Sequence, residues 1–558
     1  MGNSDAKTSG IRQSLSDLAF EGRVLREVGM LAPMRPDKAA RIGTTFLRWG
    51  ASPATGVTIA AIEHPHEIAI LDERGALSWE RLHRRSNALA DSFRRLGIGS
   101  GDGIGIMCRN HRGFVEATLA AAKLGASALY LNTMFAGPQL AEVTVREGPK
   151  ALVYDQEFAG LLSGVPGDVT RVVGWVDDAE ATSELTLDGL IAAGSEDDHS
   201  PPPDKARFVI LTSGTTGTPK GAQRSSPDGL FTLAAIFDKI PYRGGMTTVI
   251  AAPLFHSWGF FHFVVSLPTA GTMVLRRRFD PEETLRAIER SRADVVALVP
   301  VMAQRILALP EETLARYSLP TLRVASISGS ALPGELALAW MDRFGDTVYN
   351  LYGSTEVSVA TIATPEDLRA APGTAGKPPR GTSLRLFDEE GREVAPGEVG
   401  RIFVGSDLAF EGYTGGENKQ AIEGLLSSGD VGHFDEGGRL FIDGRDDEMI
   451  VSGGENVFPR EVEDLLADLD GVAEVAVIGV EDTEFGQRLK AFVVLEAGAE
   501  LGESELVGHV KANLAGYKAP REVEFLDELP RNATGKVLKR VLRDGAPAAG
   551  GSSVPEDE

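Results

Sequence analysis

One cysteine, Cys108, stands in 558 residues. No disulfide can close within the chain, and a reducing, cytoplasmic setting is expected. Basic residues are in deficit: 56 Lys and Arg face 80 Asp and Glu, a formal net charge of −24. That balance argues against general nucleic-acid binding. It also means that an anionic substrate must be met by local donors or a metal, because the overall field repels it. No apolar run is long enough to cross a bilayer, and no secretory signal with a cleavage site is read. His64, His66, His83 and His111 lack metal-ligand spacing and read as ordinary surface or core histidines. No internal repeat is found. The length excludes one ordinary domain, and 42% hydrophobic residues fit a globular protein.

The most informative stretch runs from Leu211 to Gly221, Leu-Thr-Ser-Gly-Thr-Thr-Gly-Thr-Pro-Lys-Gly. An apolar run, Phe208–Leu211, precedes it and reads as a buried strand. Glycine lets backbone N–H groups approach an anion, and consecutive N–H groups can form a nest. The hydroxyls of Thr212, Ser213, Thr215 and Thr216 add donors, and Lys220 adds charge. This is the chemistry of a polyphosphate loop, although Pro219 separates it from the standard G-x-x-x-x-G-K-[ST] form. A plain surface loop or hairpin turn is the alternative, and it would need neither the hydroxyls nor the lysine.

Along residues 68–155, short apolar runs alternate with helical spacing, as in Gly103–Met107, Phe114–Leu124, Ala126–Leu131 and Ala151–Tyr154. Such alternation predicts parallel sheet with helices on both faces. Thr248–Ala252, Val295–Val299 and Val324–Ile327 read as further buried strands. Strand ends are where open α/β sheets place ligands. Three motifs follow such ends: Pro253–Gly259 with His256 and Trp258, Ser328-Gly329-Ser330, and Tyr352-Gly353-Ser354-Thr355-Glu356. A tyrosine, a glycine and a carboxylate together can stack a base and hold Mg²⁺, a hard cation that takes oxygen ligands. A β-rich portion then contains Gly429-Asp430, which alone reads as a turn pair. From Glu448 to about Asp544 the pattern is a compact α+β unit, with Lys536 on a glycine-bearing loop.

Taken in order, Thr212–Gly221, Pro253–Gly259, Tyr352–Glu356, Ser428–Gly432, Gly444–Asp447, Ser452–Glu463 and Pro530–Lys536 resemble the adenylate-forming superfamily. Its members include acyl-CoA synthetases, carrier-protein-loading adenylation domains and firefly luciferase. The resemblance covers about residues 60–545. It implies a large N-terminal domain of parallel α/β sheets plus a β-rich subdomain, followed by a small mobile α+β C-terminal domain. The expected boundaries are an extension over 1–50, a large domain over 51–444, a small domain over 445–545 and a disordered tail over 546–558.

The resemblance also assigns roles. Thr212, Ser213, Gly214, Thr215, Thr216, Gly217 and Lys220 would hold the ATP phosphates, and Glu356 with Thr212 would bind Mg²⁺. Tyr352, with Gly329 and Ser330, would line the adenine site, and Gly353 and Thr355 would also belong to the cofactor-binding set. Asp430 would hold the ribose, and Arg445 would reach ribose or phosphate. Lys536 would serve adenylation, His256 and Trp258 would border the carboxylate and acyl pocket, and Gly453 would line the CoA pantetheine channel. Ser328-Gly329-Ser330 departs from the more usual Gly-Gly-Ala. The texture is most like medium- to long-chain fatty acyl-CoA synthetases. An aryl or other carboxylate-CoA ligase, an enzyme loading a separate carrier protein, and a non-catalytic scaffold are the rivals; intact Lys220, Glu356, Asp430 and Lys536 argue against the last.

The extension is basic within an acidic chain (Arg23, Arg26, Arg35, Lys38, Arg41, Arg48) and carries Leu25, Val28, Leu31, Ile42, Phe46, Leu47 and Trp49. It reads either as an interfacial helix in weak peripheral contact with anionic lipid or as a helix packed on the main domain or at a homodimer contact. Packing is the expectation. Asp447 falls at the hinge position of the resemblance, where backbone change between two half-reactions would concentrate. Asp447→Pro is expected to impair thioester formation more than adenylation when the two half-reactions are assayed separately. Parallel loss of both would remove the hinge role.

Overall fold

The computed structural model describes residues 16–31, 33–178, 184–212, 220–224, 230–354, 356–406, 412, 419–448, 450–452, 455–482, 486–514, 518–532 and 535–544. The expected disordered tail, 546–558, lies outside them. Among the described residues, the large lobe holds two sheets built mainly from parallel strands. One has eight strands in the order Ser358–Ala363, Val348–Ser354, Val324–Ile327, Val295–Leu298, Thr247–Ile250, Thr272–Leu275, Ile68–Asp72 and Gly75–Ser78. The other has seven: Leu185–Thr186, Thr170–Trp175, Ala151–Asp155, Gly103–Met107, Ser127–Tyr130, Phe208–Thr212 and Lys220–Arg224.

Local chemistry explains these elements. Central strands such as Val295–Leu298 and Val324–Ile327 are buried along their whole length, as continuous apolar runs covered on both faces must be. The Trp79–Arg95 helix starts where the Ser78 hydroxyl accepts the Arg81 N–H, and the Pro281–Ser291 helix starts where the Asp280 carboxylate accepts the Glu283 N–H. Each satisfies an otherwise orphaned donor. The Arg112–Leu124 helix stops at Gly125, whose φ of 71° closes an αL cap.

The two sheets share a core. Ile70, Met273 and Leu275 of one and Ile104, Tyr130 and Val153 of the other belong to one buried cluster, which also holds Phe93, Phe114 and Phe263. The short segment Asn110–Arg112 crosses between them. Asn110 Nδ2 donates to the carbonyls of Ile250 (3.0 Å) and Ala252 (2.9 Å), and its Oδ1 accepts the Leu254 N–H at 2.8 Å. The Arg112 guanidinium reaches Asp72 Oδ1 at 2.6 Å and the Gly75 carbonyl at 2.7 Å. Burial alone would raise the Asp72 carboxyl, but the Arg112 side chain and backbone N–H hold it below its usual range.

A five-stranded antiparallel sheet follows, with Ser383–Phe387, Gly400–Gly405, Leu425–Phe434, Ala421–Ile422 and Leu440–Arg445. The C-terminal portion is α+β. Strands Ile450–Ser452, Glu455–Val457, Val472–Asp482, Gly486–Leu495 and Glu522–Phe525 form one sheet, with helices Pro459–Ala467 and Glu503–Asn513. The observed bounds differ from the predicted ones by a few residues at most of these ends.

Residues 16–28 form a helix packed on the large lobe. Phe20, Val24 and Val28 are buried in the core shared with Ala234–Phe237, and Val28 O accepts the Gly244 N–H at 2.7 Å. Arg23 pairs with Asp238 at 2.9 Å. This stretch follows the packed alternative of the two sequence readings. The next helix, Pro36–Trp49, buries no residue fully. Lys38 Nζ ties it to the Glu63 carbonyl at 2.9 Å, at the end of the Pro53–Glu63 helix. Among the described residues, no helix is long and apolar enough to cross a membrane.

Phe263 is fully buried where the two sheets share their core. Phe263→Ala is expected to destabilise the large lobe by about 3–5 kcal/mol, read as a lowered midpoint in chemical denaturation.

Candidate active site

A continuous cavity of about 1210 Å³ opens between the large lobe and the C-terminal unit. Strand ends deliver its polar wall. Ser328, Gly329 and Ser330 follow Val324–Ile327; Tyr352, Gly353 and Ser354 close Val348–Ser354; and Glu356 comes next. Asp430 and Arg445 face one another across the Leu425–Phe434 and Leu440–Arg445 pair. Lys536 enters from the C-terminal unit. His256 and Trp258 stand with Phe208, Phe260 and Phe261 in an apolar part of the wall, the apolar arm.

The polar groups around Asp430 hold one another in place. Tyr352 Oη donates to Asp430 Oδ2 at 2.6 Å, and Arg445 Nη1 lies 3.4 Å from Asp430 Oδ1. Burial first, then the Asp430 charge, raise the Tyr352 phenol well above its ordinary pKa, so it stays a donor. Asp430 is further fixed through its N–H to Ser428 Oγ at 3.1 Å. Glu356 is buried, and its Oε2 accepts the Ser354 hydroxyl at 2.8 Å. Gly329 adopts φ +98°, a conformation that glycine tolerates and most residues do not. At Gly353 an added Cβ would lie 1.8 Å from the Ser358 carbonyl. The strand can turn back on itself there because the side chain is missing.

Lys536 sits on a tight loop. Gly535 N–H donates to the Asn532 carbonyl at 2.9 Å, and Lys536 N–H donates to Asn532 Oδ1 at 2.9 Å. Gly535 has φ +79°, and a Cβ there would meet Val301 Cγ1 at 2.2 Å. Val301 belongs to the Pro300–Leu307 helix of the large lobe. Backbone of one unit therefore lies directly against the other, and this close approach carries Lys536 to the cavity. Gln304 of the same helix donates to the Ala473 carbonyl at 3.4 Å.

On the apolar side, Trp258 Nε1 donates to the Leu298 carbonyl at 2.9 Å and its ring stacks on Phe261 with 5.5 Å between centroids. Trp258 is thus both core and cavity wall. Burial pushes His256 down to about 4, and its Nδ1 finds no hydrogen-bond partner among the described residues. A neutral imidazole in the cavity wall can exchange one hydrogen bond with an incoming polar group; it supplies no charge.

Several sequence assignments fall elsewhere. Ser213, Gly214, Thr215, Thr216, Gly217, Thr355 and Gly453 lie outside the described residues, as do the side chains of Thr212, Lys220 and Asp447. The strands flanking the first loop are described. Phe208–Thr212 pairs antiparallel with Lys220–Arg224, and Thr212 is opposite Lys220. The strands are therefore paired as in a hairpin, the geometry set against phosphate binding above. The two are compatible, since Phe208, Ile210 and Leu211 line the cavity. Glu356, with Ser354 beside it, offers hard oxygen donors in a buried wall, which fits Mg²⁺.

Sequence reasoning missed the Tyr352–Asp430 bond, which joins residues 78 apart in the chain. It also missed that the extension reaches the cavity, where Leu25, Met30, Ile42 and Phe46 form part of the wall. It did not foresee the cluster of Cys108, His111 and Asp155, whose ligand atoms lie within 4.8 Å of one another. Hydrogen bonds account for that cluster. His111 Nε2 meets Asp155 Oδ1 at 2.7 Å, and His111 Nδ1 accepts the Gly113 N–H at 3.0 Å, capping a helix.

His256 and His262 are both pushed down to about 4, from an ordinary 6.5, by burial. The folded protein keeps them neutral, while the unfolded chain takes up two protons as pH falls through 6.5. Stability present above that value is therefore lost toward pH 4. About 2 kcal/mol per histidine should disappear between roughly pH 7.5 and pH 5. Denaturant titrations at the two pH values check this, and His262→Gln should flatten the dependence.

Residues 58–414 match the family model "AMP-binding enzyme", and residues 461–536 match "AMP-binding enzyme C-terminal domain". A feruloyl-CoA synthase from Amycolatopsis sp is 33% identical over 86% of this chain and 96% of its own length. An indoleacetate–CoA ligase from Aromatoleum aromaticum is 31% identical over 86% and 95%. Among solved structures, an anthranilate CoA ligase in complex with anthranoyl-AMP superposes with a TM-score of 0.80 at 25% identity, covering 89% of this chain and 97% of that one. With its strand-end motifs, the Asp430 pairing and these matches, the chain belongs to the AMP-binding enzyme family, the adenylate-forming superfamily.

Proposed function

We propose that the protein activates a bulky aromatic carboxylic acid as its acyl-adenylate and passes the acyl group to CoA. One observation carries the reading. The cavity that gathers Tyr352, Glu356, Asp430, Arg445 and Lys536 is continuous with an apolar arm walled by aromatic side chains. At about 1210 Å³ it exceeds the roughly 300–1,000 Å³ of a common small-molecule pocket, which suits a nucleotide and an acid held together. Phe208, Phe260, Phe261 and Trp258 offer faces and edges to a flat ring. The relatives' names favour aromatic acids over the fatty acid expected from sequence texture. A medium- or long-chain fatty acid remains the second reading, because the arm is apolar along Ile59, Val264 and Leu267 as well.

The first step joins a carboxylate oxygen to the α-phosphate of ATP as pyrophosphate departs. Both reactants are anions, so the site must offset their repulsion. In this reading Lys536 places its charge where the carboxylate and phosphate oxygens meet, and Tyr352 and Asp430 hold adenine and ribose. His256 and the aromatic wall orient the acid. Glu356 and Thr212 would hold Mg²⁺, which supplies charge neutralisation at the phosphates. The enzyme needs no covalent nucleophile, because positioning and fixed charges suffice. In the second step the CoA thiolate attacks the acyl carbon and AMP leaves. The C-terminal unit must swivel about the Asp447 region to withdraw Lys536 and admit the thiol, with Gly453 lining the approach.

Carboxylate-stimulated exchange of labelled pyrophosphate into ATP tests the reading. The panel should hold cinnamate-type acids, indoleacetate, benzoate and fatty acids, each with and without CoA. Aromatic acids should give the fastest exchange, and thioester should appear only with CoA. No exchange with any acid would overturn the proposal. Lys536→Ala should slow adenylation by roughly 10²–10³-fold and spare thioester formation from supplied acyl-adenylate; equal loss in both half-reactions would remove the role given to Lys536.

A further inference from the structure

Residues 16–57 precede the part of the chain that matches the family model, which starts at residue 58. They nevertheless reach the cavity. Leu25, Met30, Leu31 and Met34 line it from the first segment, and Ile42 and Phe46 from the Pro36–Trp49 helix. Ile42 and Phe46 are four residues apart and share one helical face.

The two segments are held differently. The 16–28 helix is anchored by the buried Phe20, Val24 and Val28 and by the Arg23–Asp238 ion pair. Arg380 adds hydrogen bonds to Ser16 and Asp17 at 2.8 and 2.9 Å. The Pro36–Trp49 helix buries no residue fully, and Phe46 is 39% exposed. Its inner face is apolar, and its far edge is tied to the Pro53–Glu63 helix by Lys38. That second helix lies tightly on the core: a Cβ at Gly56 would meet Leu267 Cβ at 2.7 Å. A firm frame thus supports a lightly packed panel that faces the apolar arm.

We propose that the extension, through Ile42, Phe46 and Met34, forms the far wall of the acyl arm and sets the bulk of the acid the enzyme accepts. The inference rests on the reading of the arm as the acid's binding place. An acid long enough to reach this face would cover apolar surface that is otherwise wetted, and gains affinity in proportion to the area covered. A short acid stops before it and gains nothing. Discrimination of this kind is worth roughly 10- to 100-fold for a few methylene-sized groups.

The test uses 1-pyrenebutyrate, a bulky aromatic acid whose fluorescence reports binding without turnover, and benzoate, followed by calorimetry. Ile42→Trp fills the arm and should lower the preference for 1-pyrenebutyrate over benzoate, as a ratio of dissociation constants, by roughly 10- to 100-fold. Phe46→Ala removes the wall and should lower the same ratio by several-fold; it keeps the test decisive should Ile42→Trp fail to fold. An unchanged ratio in a folded variant, or no binding of 1-pyrenebutyrate by the unaltered protein, overturns the inference. Because binding is read without ATP, a protein that binds the acid yet shows no pyrophosphate exchange refutes the activity reading and not this one.

Discussion

Everything at the site depends on the crossing made by Asn110 and Arg112. A parallel sheet covered on both faces offers ligands only its strand ends. This lobe has two such sheets, so a shared arm exists only where they are held at a fixed separation. Asn110 binds two carbonyls and one N–H of the 250–254 segment, directly before His256. Arg112 closes a buried ion pair with Asp72. Polar groups in such surroundings are costly unless satisfied, and here the satisfied set fixes how the two sheets meet.

The same logic brings the C-terminal unit to the cavity, by omission of a side chain. Gly535 lets its loop lie on Val301, and the next residue is Lys536. Lys539, three residues on, pairs with Glu448 and Glu463 at 3.0 and 2.9 Å. Glu448 ends the 446–448 turn, so the lysine-bearing end and the start of the C-terminal unit are joined by ionic contacts. Such contacts tie the lysine-bearing loop to the rest of its unit, which fits the proposed withdrawal of Lys536 between half-reactions.

Much of this was legible in the sequence, for identifiable reasons. Continuous runs such as Val295–Leu298, glycine stops such as Gly125 and the order of the strand-end motifs gave the parallel sheets, the β-rich portion and the α+β end. Asp430 was weak alone, as half of a turn pair, and gained meaning only from its place among the other motifs. What was not legible involved partners far apart in sequence. Nothing near Tyr352 announces Asp430, and nothing in residues 16–50 announces that they line the cavity. The strand pairing around Pro219 was hidden because Lys220–Arg224 is short and polar. The fatty-acid expectation rested on texture, and pocket shape is set by scattered wall residues such as Phe208 and Phe260 that follow no local pattern.

The Tyr352–Asp430 bond has a consequence for how nucleotide arrives. The carboxylate has already exchanged water for a phenol and a guanidinium when the chain folds. If Asp430 holds ribose as proposed, a sugar diol would approach an acceptor whose direction is already set, and the penalty of aiming it would fall on folding and not on capture. In the proposed reading, the acceptor for the ribose is aimed by the fold itself, through Tyr352 and Arg445.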